Sequence, residues 1–240
     1  MKGRIAAAAA FAVLAGQVAR GQTDTAEPAP VIPAPAATPA AHDHENSRIL
    51  GVIPNYQTVS DPHAPVAPLT AGQKFKLFAR ETVDPFTFAG AAMGAALSQA
   101  HDDDPKYGQG WGPYAQRFGA ASVDIATQNF FGDFALASLL HEDPRYFRRG
   151  PEYGFWNRMG YALSRIVITR KDSGGETFNY AGIGGMALGI TLSNAYYPSR
   201  SVNADVSALR LYSSVSSAAL GNLLPEFWPD IKQKFLRRRK

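Results

Sequence analysis

Reactive side chains crowd the segment "SLLHEDPRYFRRG", from Ser138 to Gly150. His141, Glu142 and Asp143 stand in a row. A histidine beside two acids is the raw material of a metal site or of proton transfer. Arg145 and Arg148 add guanidinium forks that suit a phosphate or a carboxylate. The candidate catalytic residues are therefore His141, Asp143 and Arg145. On a helix, however, consecutive residues point about 100° apart. These groups meet only if another segment, such as the one holding Asp172 or Asn194, completes them. A structural turn explains the same letters and is preferred. His141 near a helix C-terminus suits the dipole, Asp143-Pro144 stops the helix, and Arg145 pairs with Asp143 or Glu142.

A second cluster, "HDDDP", offers His101, Asp102 and Asp104 as candidate metal ligands. It lacks the Asp-x-Asp-x-Asp-Gly pattern of a calcium loop and reads as a solvated loop. His42 and His44 sit in a linker, where metal binding would be weak. "GIGGMA", Gly182 to Ala187, has the glycine spacing of a dinucleotide loop. No strand leads directly into it, so it reads as helix packing. Gly-x-Ser-x-Gly, P-loop and His-Glu-x-x-His motifs are missing from the sequence, and there is no cysteine for thiol catalysis or a zinc–thiolate site. No cofactor is expected.

The elements that must position these residues read as helices. Thr70 caps a helix over 71–82, with Phe75, Leu77 and Phe78 as its anchors. Asp84-Pro85 opens a second that runs to about Ala100. A third spans about Tyr114 to Leu140, with a stripe through Phe118, Ser122, Ile125, Asn129, Gly132 and Leu136. The fourth covers 155–170, although the β-branched run Ile166 to Thr169 also suits a strand. The fifth spans Asn179 to Tyr197 and the sixth Asn203 to Leu224, with a short helix after Pro229. The expected fold is all-α: one domain of five to six helices with Gly/Ser-rich packing faces, preceded by a signal peptide and a Pro/Ala-rich linker.

The map is residues 1–21 as signal peptide, 22–47 as disordered linker, 48–230 as helical domain and 231–240 as basic tail. Lys2 and Arg4, then eleven apolar residues from Ile5 to Ala15, then Ala19-Arg20-Gly21, make a secretory signal; a retained anchor is the alternative. An exported protein without disulfides must be held by packing alone. The net charge of +4 comes from the two ends, and six basic residues lie in "KQKFLRRRK". No basic stripe for nucleic acid is visible. The tail could touch anionic lipid.

Three helices carry small residues four apart: Gly90, Gly94 and Ser98; Gly185, Gly189 and Ser193; Ser213, Ser217 and Gly221. Such faces let backbones approach closely, in lipid or in tight soluble packing. The second and fifth helices also share "FTFAG"/"FNYAG" and "LSQA"/"LSNA". Duplication and convergence explain this equally well. Trp111, Trp156 and Trp228 fall near helix ends, as interfacial aromatics do. Against a membrane, Asp124 and Asp133 are nine residues apart on one helix, hence on opposite faces. Arg158 and Arg165 would form a polar rim or pair with Asp133. A soluble or peripheral domain is thus preferred to an embedded bundle.

At "LLHEDPRYFRRG", "SRIVITRKDSGG…FNY" and "SNAYYP" the chain resembles a family of uncharacterised secreted proteins from soil bacteria, over about residues 48–230. The resemblance implies export but no activity, and it carries over no catalytic residue. The first expectation is a non-enzymatic module of the periplasm or cell envelope that touches a membrane surface, or itself, through its Gly/Ser faces. The alternatives are a metal-dependent or hydrolytic enzyme built on His141, Asp143 and Arg145, or a membrane-embedded bundle. The sequence points to no particular small-molecule ligand.

Overall fold

A computed structural model describes residues 48–49, 51–61 and 66–237. The expected signal peptide and linker, with His42 and His44, lie outside the described residues.

The first helix, α1 (Ala71–Thr82), starts at a complete capping box: the Thr70 hydroxyl accepts from Gln73 N, and Gln73 Oε1 accepts from Thr70 N. At α2 (Pro85–Ala100) the Asp84 carboxylate accepts from Phe86 N at 2.9 Å and Pro85 occupies the first turn. Both starts fall where the sequence places them. After α3 (Trp111–Asn129) the helix runs on through a π-helical stretch, Phe130–Leu136, into a last turn, α4 (Ala137–Leu139). Next come α5 (Phe155–Ser164), α6 (Tyr180–Ser193), α7 (Ala204–Gly221) and α8 (Leu223–Arg237). Asn179 and Asn203 cap α6 and α7 with their side chains.

The chain is mostly helical rather than all-α, because among the described residues there are also seven short strands. β1 (Arg48–Ile49) pairs with β2 (Ile53–Pro54), and β3 (Thr58–Val59) lies parallel to β5 (Tyr146–Phe147). β4 (Glu142–Asp143), β6 (Ile168–Lys171) and β7 (Glu176–Phe178) form one antiparallel sheet. The fourth helix therefore stops at Ser164 and not at 170. The β-branched run prevails because β6 finds partners on both sides. Likewise α8 runs through Pro229, which the sequence reading had placed before a separate tail helix.

The π-helical stretch has a packing cause. α6 lies directly against it. A Cβ on Gly185 would sit 2.4 Å from the backbone nitrogen of Gly132, and one on Gly189 would sit 2.5 Å from Gln128 Cγ. Backbone meets backbone here, so only glycine fits. The small-residue face of α6 is thus used inside the fold. Gly90, Gly94 and Gly221 have open space above them.

The i→i+5 bonding widens the helix and resets which way its later residues point. Asp124 and Asp133 meet different elements, and neither is left without a protein neighbour, which corrects the expectation that one of them would meet lipid. Asp124 accepts hydrogen bonds from the hydroxyls of Tyr196 and Tyr197, and Asp133 lies beside Glu81 of α1. Both point to protein partners. Arg158 and Arg165 do not pair with Asp133 either. Arg158 reaches Glu226 and Asp230, and Arg165 reaches Glu176.

The polarity of the fold is the reverse of the usual one. Among the described residues no leucine, phenylalanine, tryptophan, methionine or valine is buried. The buried apolar positions are mostly alanines, with Ile49, Ile166, Ile190 and Tyr146. Lys74, Arg117, Arg158 and Glu226 are buried. On α1 the expected anchor Phe75 is half exposed and Lys74 points inward. Globular domains ordinarily keep Lys, Arg and Glu out of full burial and place Leu and Phe there.

Candidate functional site

The segment from His141 to Gly150 holds the molecule together. The helix ends at Leu139, two residues before His141, which takes a left-handed φ of +55°. His141 thus stands at the C-terminal end of the helix, but the Pro-stop reading is corrected: Asp143 closes β4 and Pro144 follows it, so the pair terminates no helix. The His141 ring is exposed, with Nδ1 4.0 Å from Asp172 Oδ2. Asp172 is held instead by Lys74, whose Nζ donates to it at 2.7 Å and to Ala137 O at 3.1 Å. Asp143 and Arg145 bind each other, with Nη2 2.6 Å from Oδ2, and Arg145 also donates to Ala67 O. The three candidate residues do not converge. Asp143 and Arg145 line the chamber described below, and His141 does not.

Glu142, buried beside them, accepts from Ala181 N at 3.0 Å and so caps α6. Burial raises its carboxyl above the usual range, against the pull of the Ala181 and Tyr180 amides and of Lys74 and Lys171.

Past β5 the same segment closes on Glu226, the most completely enclosed charge in the described structure, 0% exposed. Its carboxylate accepts from the Tyr146 hydroxyl at 2.7 Å, Arg149 N at 3.0 Å and Arg158 Nε at 2.7 Å. Arg148 and Arg158 both reach its backbone carbonyl and then Asp230. The Tyr146 phenol is pushed up, first by burial and then by this carboxylate. With every acceptor matched, the network offers no open position for a substrate. Sequence reasoning missed Glu226. The one signal was an isolated acid inside "LLPEFW".

A chamber of about 430 Å³ opens between β4–β7, α1 and the π-helical stretch. Its wall includes Gln57, Glu81, Asp133, Asp143, Arg145 and Arg170. Burial, with the negative charge of Asp133 beside it, holds the Glu81 carboxyl well above the ordinary carboxylate range, and burial raises Asp133 to about 6. The Gln57 amide acts on both carboxyls, although its Nε2 meets no group at full hydrogen-bond geometry. The sequence analysis had noticed Asp133 but neither Glu81 nor Gln57. Lys74, Phe78 and Glu81 share a face of α1 at spacings of four and three, which was the available signal.

The candidate metal residues point apart. His101 lies 3.9 Å from Asp103, Asp102 faces Lys106 and Arg117, and Asp104 accepts from the Ser201 hydroxyl at 2.6 Å. Among the described residues no group of three or more His, Asp or Glu could hold a metal ion. Asn194 is likewise engaged. Arg210 donates to its Oδ1 at 2.9 Å and to Ser193 Oγ at 2.7 Å, tying α7 to the end of α6.

No family model, no curated protein and no solved structure matches the chain.

Proposed function

We propose that the chain is a non-enzymatic, exported module of the cell envelope that seats its helical wall in the apolar layer of a membrane. One observation carries this reading: charge lies inside and large apolar side chains lie outside. Arg117 is 2% exposed while Trp111 is 88% and Trp156 is 75% exposed. α2 and α6 carry no charged residue. On the run from Trp111 to Leu139 the three charges, Arg117, Asp124 and Asp133, have partners inside the protein. Met93, Leu97, Leu188, Leu192, Leu209 and Leu220 stand exposed along these helices and α7. Apolar area of that kind marks a contact surface rather than a face turned to water. Helices joined through glycine and alanine are the packing that lipid favours. The basic C-terminus supplies attraction to anionic headgroups. No described helix is long and apolar enough to cross a membrane.

The enzyme reading is disfavoured because His141, Asp143 and Arg145 do not share a site. Flotation of the full chain with vesicles containing anionic lipid tests the proposal. Wild type should rise with the vesicles. Met93→Asp with Leu97→Asp should cut the bound fraction at least tenfold while leaving the detergent-solubilised fold intact, since an aspartate among acyl chains costs up to about 3 kcal/mol. A wild-type chain that stays behind and is monodisperse in plain buffer contradicts the proposal. A detergent-free oligomer would mean that a second copy covers the wall instead.

A further inference from the structure

The chamber beside β4–β7 is lined by charges of both signs, and most of them cancel within the lining. Asp143 binds Arg145 at 2.6 Å, and Glu176 binds Arg165 at 2.7 Å. Glu142 accepts from Ala181 N at 3.0 Å. Three charged side chains of the lining are left over: Arg170 on β6, Glu81 on α1 and Asp133 on the π-helical stretch.

Arg170 stands opposite Asp143 in the β4–β6 register and opposite Glu176 in the β6–β7 register. Both carboxylates are turned to other arginines. Three guanidiniums of the lining therefore meet two carboxylates, and one positive charge is in excess. The Arg170 guanidinium lies over the Phe147 ring, 4.6 Å from its centroid, and no acceptor among the described residues takes its N–H groups. The ring steadies the fork and leaves its donors free.

The other two charges lie side by side on α1 and the π-helical stretch. Among the described residues no Lys or Arg forms an ion pair with Glu81 or Asp133. Lys74 binds Asp172 and Ala137 O, Arg80 lies over the Tyr56 ring, and Arg48 holds Asp84. Lys76 and Lys171 are exposed. Gln57, which is neutral, lines the same chamber.

An enclosed charge without a counter-ion is costly, so each pole favours a group of opposite sign. We propose that the chamber binds a small zwitterion, whose carboxylate meets Arg170 and whose ammonium meets Glu81 and Asp133. A guanidinium fork matches a carboxylate, and a single excess positive charge balances a monoanion. An ammonium brings three donors to two carboxyls. Burial raises both carboxyls, Asp133 to about 6, and such a setting gains from an incoming cation. An organic cation is favoured over a metal ion, because among the described residues no third His, Asp or Glu completes a metal site. The volume, about 430 Å³, suits a small molecule. Ala137, Ile166, Ile168 and Met186 give the lining an apolar part that suits a methylene spacer.

The test uses the full chain in detergent and does not depend on any lipid contact. Glycine, β-alanine, γ-aminobutyrate and ε-aminocaproate are titrated at constant ionic strength. Butylamine and butyrate serve as probes that carry one pole only. Side-chain NMR signals of Gln57 and Arg170 report the site. One member of the ladder should move both signals to saturation. It should bind at least about tenfold more tightly than butylamine or butyrate, since each charge-assisted contact is worth about that factor. Its length then measures the distance between the poles. Arg170→Gln and Asp133→Asn should each weaken that member about tenfold. Arg170→Gln should leave butylamine binding unchanged. Should a variant not fold, the wild-type comparison decides alone. No saturable shift from any member, shifts that leave Gln57 and Arg170 unmoved, or equal binding of the one-pole probes would overturn the site.

Discussion

The surroundings of Glu226 and the outer face of α2 show opposite uses of the same alphabet. Around Glu226 a carboxylate is wholly enclosed; Arg158, the Tyr146 hydroxyl and the Arg149 backbone amide donate to it, and Arg148 donates to the backbone carbonyl of the same residue. On α2, sixteen residues carry no charge, and Met93 and Leu97 stand mostly exposed. The contrast teaches that the enclosed contacts of this fold are polar pairing and close backbone approach, while large apolar side chains lie on its outside, which the proposed reading assigns to a membrane.

The largest break in that contrast is expected at the centre. Glu226→Ala takes away one of the two carboxylates that Arg158 holds and leaves the Tyr146 hydroxyl and the Arg149 amide without their acceptor; losing one member of a buried pair costs about 3–5 kcal/mol, and with Asp230 retained the lower end is expected. Denaturant unfolding in detergent should show that loss or a failure to fold. Next in size is Gly185→Ala, where the new Cβ meets the Gly132 backbone nitrogen. Overpacking of this kind costs about 1–3 kcal/mol, and here the clash is with backbone, so the upper end is expected. Gly94→Ala, above open space on α2, should be neutral or stabilising by up to about 1 kcal/mol. The same melting series checks both, and equal losses would erase the distinction between α6 and α2. Smallest is Thr70→Ala, which removes half of the α1 capping box for about 1 kcal/mol and should not alter vesicle flotation.

The legible parts of the fold were those written in local chemistry. Thr70 with Gln73, Asp84 with Pro85, and Asn203 announce helix starts without reference to the rest of the chain. The Asp143–Arg145 ion pair was legible for the same reason, since its partners lie two residues apart. What escaped depends on contacts distant in sequence. The π-helical stretch exists because Gly132 meets Gly185, and β6 because β4 and β7 flank it. Glu226 draws its meaning from arginines 68 and 78 residues away. Periodicity placed the third helix's stripe on Phe118, Ser122, Ile125, Asn129, Gly132 and Leu136; of these Gly132 is buried, while the other buried positions, Arg117, Ala120 and Ala137, lie off the stripe.

The central claim is that the helical wall touches acyl chains. Tryptophan fluorescence quenching by lipids brominated along their acyl chains reports that contact, using full-chain variants that retain only Trp111, only Trp156 or only Trp228. The account predicts strong quenching of both in vesicles, against little quenching of Trp228, which is less exposed. Unquenched Trp111 and Trp156 in vesicle-bound protein would contradict it.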